Sequence, residues 1–225
     1  MTPRLRVRLE HVTHSYAGSD EAAAVQVLDD VSLDIASGDF AVLRGASGGG
    51  KSTILNLIGA VDRPTSGRVF LGDVETSALD ESKLTMLRRS SIGFVFQQYN
   101  LIPTLTVFEN VAFPLALART PAKERVDAML ERIGLQHRAK HYPSELSGGE
   151  MQRVAIGRAV IHRPPLIIAD EPTGNLDSKS GTNVLELIRT IHGSERPTIV
   201  MATHSDVAAS FGDYTIAVAD GKASR

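Results

Sequence analysis

FAVLRGASGGGKSTILNLIGAV, residues 40 to 61, decides the fold. Phe40-Ala41-Val42-Leu43 is a short unbroken apolar run, as in a strand buried on both faces of a parallel sheet. A glycine-rich loop follows at once, and residues 51 to 61 then read as a helix. Gly45, Gly50, Lys51 and Ser52 fit the pattern G-x-x-x-x-G-K-[ST]. In such a loop the glycines let backbone N–H groups curl around a phosphate. The lysine reaches β and γ oxygens, and the serine hydroxyl can ligate Mg²⁺. Ser47, Gly48, Gly49 and Thr53 belong to the same candidate nucleotide contact. The alternative, a glycine-rich turn that binds nothing, does not account for the strand before it and the helix after it.

Outward from this unit the chain keeps α/β order. Upstream, Val31, Leu33 and Ile35 alternate with Ser32 and Asp34, the period of a half-buried strand, and Ser37-Gly38-Asp39 is a turn. Downstream, RPTSG is a loop and RVFLGDV a strand. The middle turns helical. Val126, Met129, Leu130 and Ile133 form one apolar helix face closed by Gly134, and a second helix begins near Ser147. Leu166-Ile167-Ile168-Ala169 and Thr198-Ile199-Val200-Met201-Ala202 are further strands. Between them Val184, Leu187, Ile188 and Ile191 mark a helix expected to stop at Gly193. Asp220-Gly221 suits a tight hairpin turn, and GSDEAAA near the start reads as a flexible loop. Strand–loop–helix alternation at both ends argues for a parallel sheet, with the helical middle inserted between its strands.

Bulk composition narrows the function. The chain has 225 residues, and 24 Lys plus Arg against 26 Asp plus Glu give a net charge of -2, which offers no electrostatic case for nucleic-acid binding. The absence of cysteine excludes disulfides and thiolate metal sites. No apolar run has the length of a membrane helix, and MTPRLRVRLE lacks the apolar segment of a signal peptide. Any membrane connection is therefore expected to run through a partner.

Two further motifs carry chemistry. The strand from Leu166 ends in Asp170-Glu171, and strand alternation sends the two carboxylates in different directions. Behind a phosphate loop, Asp170 would hold Mg²⁺. Glu171 would face the γ-phosphate and orient the attacking water as general base. Alone, an acidic pair at a strand end is equally well structural. In LSGGEMQR, residues 146 to 153, Ser147 is a good N-cap and Glu150 completes a capping-box pattern. A cap does not need Gly148 and Gly149, which cost about 1 kcal/mol each in a helix relative to alanine. They make sense where something must approach the backbone closely, as a γ-phosphate does at a helix N-terminus.

LSGGEMQR, with GASGGGKST upstream and LIIADEPTGNLDS downstream, resembles the nucleotide-binding subunit of an ATP-binding-cassette transporter over essentially the whole chain. The resemblance implies a phosphate-loop ATPase fold: a mainly parallel core of about residues 1–95 and 158–225, an antiparallel β subdomain, and a helical subdomain of about 96–157. It implies ATP and Mg²⁺ as ligands. It also implies a head-to-tail dimer in which Ser147, Gly148, Gly149 and Glu150 of one chain face the nucleotide at the other chain's Lys51. Tyr16, which alone reads as packing, matches the aromatic that stacks on adenine. Gln97 matches the glutamine that approaches Mg²⁺ and the attacking water. Asp177 matches the interface aspartate, a role compatible with being a helix N-cap. His204 matches the switch histidine on the γ-phosphate. Gly49 and Gly157 depart from the frequent serine or cysteine and the usual alanine, without removing a functional group.

IGFVFQQYNLIPTLTVFENV, HYPSELSGGEMQRVAIGRA and ADEPTGNLDSKSG are similar to the macrolide-exporter and lipoprotein-releasing branch. This implies a homodimer at the cytoplasmic face of the membrane, bound to an integral membrane permease with a large extracytoplasmic domain. In the family a short helix of that partner docks beside the Gln97 segment, and Tyr99, Leu101 and Phe108 are expected near the groove. Cassette ATPases of DNA repair carry long coiled coils between phosphate loop and signature, and translation-associated ones carry two cassettes. This chain has neither. An ATPase that transmits motion in cell division or signalling, without cargo, is the remaining alternative.

Overall fold

The computed structural model describes residues 4–17 and 24–225, so the GSDEAAA segment lies, but for Ala24, outside the described residues. The chain opens with strands β1 (Val7–Tyr16), β2 (Val25–Ile35) and β3 (Phe40–Arg44), followed by helix α1 (Lys51–Ile58). Strands β4 (Ser66–Leu71) and β5 (Val74–Glu75), helix α2 (Glu81–Ser91) and strand β6 (Ile92–Phe96) come next. Helices α3 (Val107–Leu117), α4 (Lys123–Arg132) and α5 (Gly148–Val160) lead to strand β7 (Leu166–Asp170). The chain closes with α6 (Ser178–Glu195), β8 (Thr198–Thr203), α7 (Asp206–Ala209), β9 (Tyr214–Ala219) and β10 (Lys222–Ser224).

The strands form two sheets. One is antiparallel, in the order β2-β1-β4-β5. The other has the order β10-β9-β3-β8-β7-β6, parallel from β9 to β6, with β10 added antiparallel at the edge. The parallel sheet is covered on both faces, which is why its strands read as unbroken apolar runs. Successive residues alternate between two cores. Phe40, Val42, Ile167, Ala169, Ile199 and Met201 join a cluster with residues of α3 to α6. Ala41, Leu43, Leu166, Ile168, Val200 and Ala202 join α1 and the antiparallel sheet.

Several local expectations need correction. Helix α6 does not stop at Gly193 but runs to Glu195, where Arg196 takes the left-handed conformation at φ 54°. Gly193 therefore sits in the last helical turn, and a side chain there would meet nothing within 4 Å. Gly193→Ala is expected to stabilise the fold by about 0.5–1 kcal/mol, the helix-interior cost of glycine. Denaturant unfolding checks this, and an unchanged or lower midpoint contradicts it. RVFLGDV is two strands rather than one, because Gly72 at φ 61° turns β4 into β5. The helix after the phosphate loop ends at Ile58 rather than near residue 61. Gly59 caps it, close against the Phe94 ring, and Ala60 turns left-handed at φ 53°. In β1 the period is broken by a bulge. His11 at φ 50° shifts the register between Leu9 and Val12, which pair with Leu33 and Val31.

Two histidines make stability pH-dependent. His192, fully buried on α6, has Nε2 2.9 Å from the Gly38 carbonyl oxygen. Burial pushes its pKa below the ordinary histidine value, against the Gly38 carbonyl and Asp213, which pull it up. Burial likewise pushes His162 down. Both are held neutral in the fold, so unfolding takes up protons below about pH 6.5, the ordinary histidine value. The stability they contribute is complete above that pH and is lost as pH falls through the lower folded values. The melting temperature is expected to fall from about pH 6.5 down to about 5, before the carboxylates titrate. A flat profile over that window contradicts this.

Candidate active site

Gly45, Lys51, Ser52, Gln97, Asp170, Glu171 and His204 stand at or after the carboxyl ends of parallel strands, where open α/β sheets bind ligands, whereas Tyr16 ends a strand of the antiparallel sheet and Ser147 to Glu150 open α5. Register sets the row. Arg44 pairs with Thr203, and Asp170 pairs with both Ala202 and Phe96. Gly45, His204, Glu171 and Gln97 therefore lead off neighbouring strand ends.

The phosphate loop is shaped by its glycines at two points. A Cβ on Gly45 would sit 1.9 Å from the Val218 carbonyl oxygen, so no other residue fits there. Gly50 has φ 103°, a conformation that side chains disfavour, and from it α1 begins at Lys51. The Lys51 side chain is 6% exposed as a residue, and its Nζ donates to the carbonyl oxygens of Gly45 at 2.9 Å and Ala46 at 2.8 Å. Two of the three ammonium protons thus anchor the lysine across its own loop, and one remains for a ligand.

Beside the loop, Asp170 Oδ1 is buried without a hydrogen-bond partner. Burial pushes the Asp170 carboxyl above its ordinary value. The Ser52 hydroxyl draws it back, Glu171 raises it again, and Lys51 lowers it. An orphaned carboxylate oxygen next to a serine hydroxyl fits a hard divalent cation that completes its shell with phosphate oxygens and water. Among the described residues no cluster of three or more His, Asp or Glu forms an all-protein metal cage.

Glu171 is held in the left-handed region at φ 45°, a conformation that costs about 1–3 kcal/mol and collects at functional sites. Its N–H donates to the Ala202 carbonyl at 3.0 Å, and its carbonyl accepts from Gly174 N–H at 3.0 Å. The Glu171 Oε1 lies 2.9 Å from His204 Nδ1, so the two are in direct contact. A cavity of about 320 Å³ adjoins them, lined also by Thr173, Leu176, Asp177 and Val207.

Other assigned residues are turned to neighbours within the chain. Gln97 Nε2 donates to Asn175 Oδ1 at 3.1 Å, and Asn175 Nδ2 donates back to the Gln97 carbonyl at 3.0 Å. Tyr16 is 40% exposed. Its ring meets His14 edge-on at 4.6 Å, and its hydroxyl lies 3.4 Å from Thr53 Oγ1. Asp177 is the N-cap of α6, accepting from the N–H groups of Lys179 and Ser180 at 3.0 Å each.

The signature end of α5 is a complete capping box. Ser147 Oγ accepts from Glu150 N–H at 3.3 Å, and Glu150 Oε2 accepts from Ser147 N–H at 2.8 Å. Ser147 is exposed, and its side-chain hydrogen bonds stay within this cap, away from its own phosphate loop. The glycines have a cause inside the chain that the sequence did not reveal. A Cβ on Gly148 would meet the Tyr99 hydroxyl at 2.9 Å, and one on Gly149 would meet Ser180 at 3.1 Å. The groups that approach them closely in this structure are this chain's own side chains.

Sequence reasoning passed over Gln152. It is fully buried, and its Nε2 donates to the carbonyls of Pro172 at 2.8 Å and Phe96 at 3.4 Å, tying α5 to the segments that carry Glu171 and Gln97. The available signal was its place inside LSGGEMQR, as a polar residue on the face of α5 shared with Ile156 and Ala159.

Comparison with known proteins bears on the family and the fold. Residues 28–174 match the ABC transporter family. The chain is 43% identical to the "Uncharacterized ABC transporter ATP-binding protein MJ0796" of Methanocaldococcus jannaschii, covering 97% of this chain and 95% of that protein. It is 45% identical to the "Macrolide export ATP-binding/permease protein MacB" of Brucella melitensis over 96% of this chain but 33% of that longer protein. A solved structure, "Dimeric structure of a post-hydrolysis state of the ATP-binding cassette MJ0796 bound to ADP and Pi", superposes with a TM-score of 0.89 at 42% identity, covering 97% of each chain. Phosphate loop, strand-end acids, capped signature helix and these relatives lead to one conclusion: the chain belongs to the ABC transporter family, as an ATP-hydrolysing cassette of the branch that includes MacB.

Proposed function

We propose that the chain works as a head-to-tail homodimer with two shared ATP sites, bound at the cytoplasmic face of a membrane to an integral permease with a large extracytoplasmic domain. The observation that carries this reading is the division of the site. Lys51, Asp170, Glu171 and His204 crowd one set of strand ends, while Ser147 stands exposed at a helix N-terminus whose contacts lie elsewhere. A second copy would bring that terminus to the nucleotide. The dimeric MJ0796 structures support it.

In this reading Tyr16 stacks on the adenine, a contact worth about 1–3 kcal/mol. The free Lys51 proton and the loop N–H groups of residues 47 to 53 hold the β- and γ-phosphates. Ser52 and Asp170, with Gln97 turned in from Asn175, would hold Mg²⁺, which neutralises charge on the phosphate oxygens when bound. Glu171 orients the attacking water and takes its proton. His204 exchanges its contact with Glu171 for one with the γ-phosphate, and Asp177 lies at the dimer face.

The helices between residues 96 and 157 form the arm that meets the permease. Beside the Gln97 strand lies a groove of about 550 Å³, lined by Phe94, Phe96, Ile102, Phe113 and Leu117, with Arg88, Arg89 and Arg158 and no carboxylate. Leu101 and Phe108, expected at such a groove, are half-buried against the main core instead, and Tyr99 rests on Gly148. Asn110 shapes the groove segment, bonding to both the N–H and the carbonyl of Ile102. Arg88 is already paired with Glu81 and Arg158 donates to the Tyr99 and Asn100 carbonyls, so an apolar partner segment with an acidic residue for Arg89 fits this lining. Phe113→Glu is expected to lose the membrane partner from detergent co-purification while the melting temperature is retained. Wild-type recovery of the partner contradicts the assignment. The curated relative MacB carries cassette and permease in one protein by its name, in keeping with such a partner here.

A further inference from the structure

The signature serine has one hydroxyl proton, and in this structure it is committed. Ser147 Oγ donates it to Glu150 Oε2 at 2.8 Å, while the same Oε2 also accepts the Ser147 N–H. If Ser147 binds the γ-phosphate held by a second subunit, as proposed above, the proton must move its bond from Glu150 to a phosphate oxygen, because that oxygen can only accept. Glu150 opposes the nucleotide in two ways. It competes for the serine proton, and its charge repels the incoming triphosphate. That charge is present at neutral pH: the Ser147 N–H above all, with the Ser147 hydroxyl and Arg138, holds the Glu150 carboxyl below its ordinary value.

The opposing charge comes from Arg138. Its Nε donates to Glu150 Oε1 at 3.2 Å, the oxygen that Ser147 leaves free. A second guanidinium nitrogen lies 3.3 Å from His141 Nε2. Among the described residues Arg138 is the one cation paired with Glu150, and Glu150 is the one carboxylate paired with Arg138. The pair is half-screened from water, with side-chain exposures of 35% and 16%, so its Coulomb attraction is less damped than at an open surface.

We propose that Arg138 is a positioning residue of the shared nucleotide site. It neutralises Glu150, so that Ser147 can turn its proton to the partner-held γ-phosphate and the helix end can approach a polyanion. An arginine that merely pins the turn of residues 136–138 to α5 would matter regardless of the charge on Glu150. One that offsets that charge becomes dispensable once Glu150 is neutral.

The experiment uses the Glu171→Gln chain, which is expected to accumulate the ATP-bound dimer, and reads the ATP concentration giving half-maximal dimer by analytical sedimentation. Adding Arg138→Ala is expected to raise that concentration about tenfold, a coupling in the range of contacting residues. Adding Glu150→Gln as well is expected to restore it to within about twofold of the Glu150→Gln chain, since a glutamine still accepts from Ser147 without carrying charge. Arg138→Gln replaces alanine if the latter lowers the melting temperature. An unshifted Arg138 variant, or a shifted one that Glu150→Gln leaves unrescued, overturns the proposal alone. Failure of the Glu171→Gln chain itself to dimerise with ATP overturns the shared-site reading on which it rests.

Discussion

Glu171→Gln is expected to lower ATP turnover by about 10²–10⁴-fold, the range for loss of a general base, while the protein still binds ATP and accumulates as a closed dimer. The substitution changes little else. The backbone at Glu171 is fixed by the bonds to Ala202 and Gly174, and glutamine preserves the length that reaches His204. What disappears is the capacity to take a proton from water. Lys51, Ser52 and Asp170 are untouched, so binding survives and the equilibrium between open and closed dimer moves to the closed side. The measurement is steady-state phosphate release beside sedimentation with ATP. Hydrolysis at the wild-type rate would place the base elsewhere.

Ser147→Arg is expected to abolish hydrolysis, by at least about 10²-fold, with every phosphate loop intact. The side chain is exposed, so the cost to folding is that of a lost N-cap, about 0.5–2 kcal/mol. At the dimer interface, though, a long cation would replace the hydroxyl at the point where the γ-phosphate of the partner site must fit. Nucleotide binding by the separate chain, which depends on Lys51 and its loop, is expected to remain. Wild-type turnover by this variant would show that the signature does not meet nucleotide.

Legibility in the sequence followed physical locality. The phosphate loop, the unbroken runs of β3, β7 and β8, the Ser147–Glu150 box and the Asp220-Gly221 turn depend on neighbouring residues, and all could be read directly. At the last of these, φ of 49° and 73° makes the tight turn between β9 and β10. What escaped depends on contacts remote in sequence. The end of α6 is fixed by where Arg196 turns, not by the glycine that resembles a stop. The bulge at His11 hides the period of β1. Helix α3, VFENVAFPLAL, is too uniformly apolar to show a helical face. The site divides the same way. Residues with a chemical role in a motif were named from the pattern; Gln152 and Asn175 stand inside the same motifs, but their roles depend on partners 20 to 78 positions away, and Arg138, which acts through another side chain, lies in no motif at all.

The central claim is that each ATP is bound by one chain's phosphate loop and the other chain's signature. Mixing the Ser147→Arg chain with a Lys51→Ala chain tests it most directly. Each carries the half that the other lacks, so a mixed dimer contains one intact site and one doubly broken one. The account predicts negligible ATP hydrolysis from either variant alone and recovered hydrolysis in the mixture, up to one active site per mixed dimer. Wild-type turnover by the Ser147→Arg chain on its own, or by an isolated monomer, would contradict it.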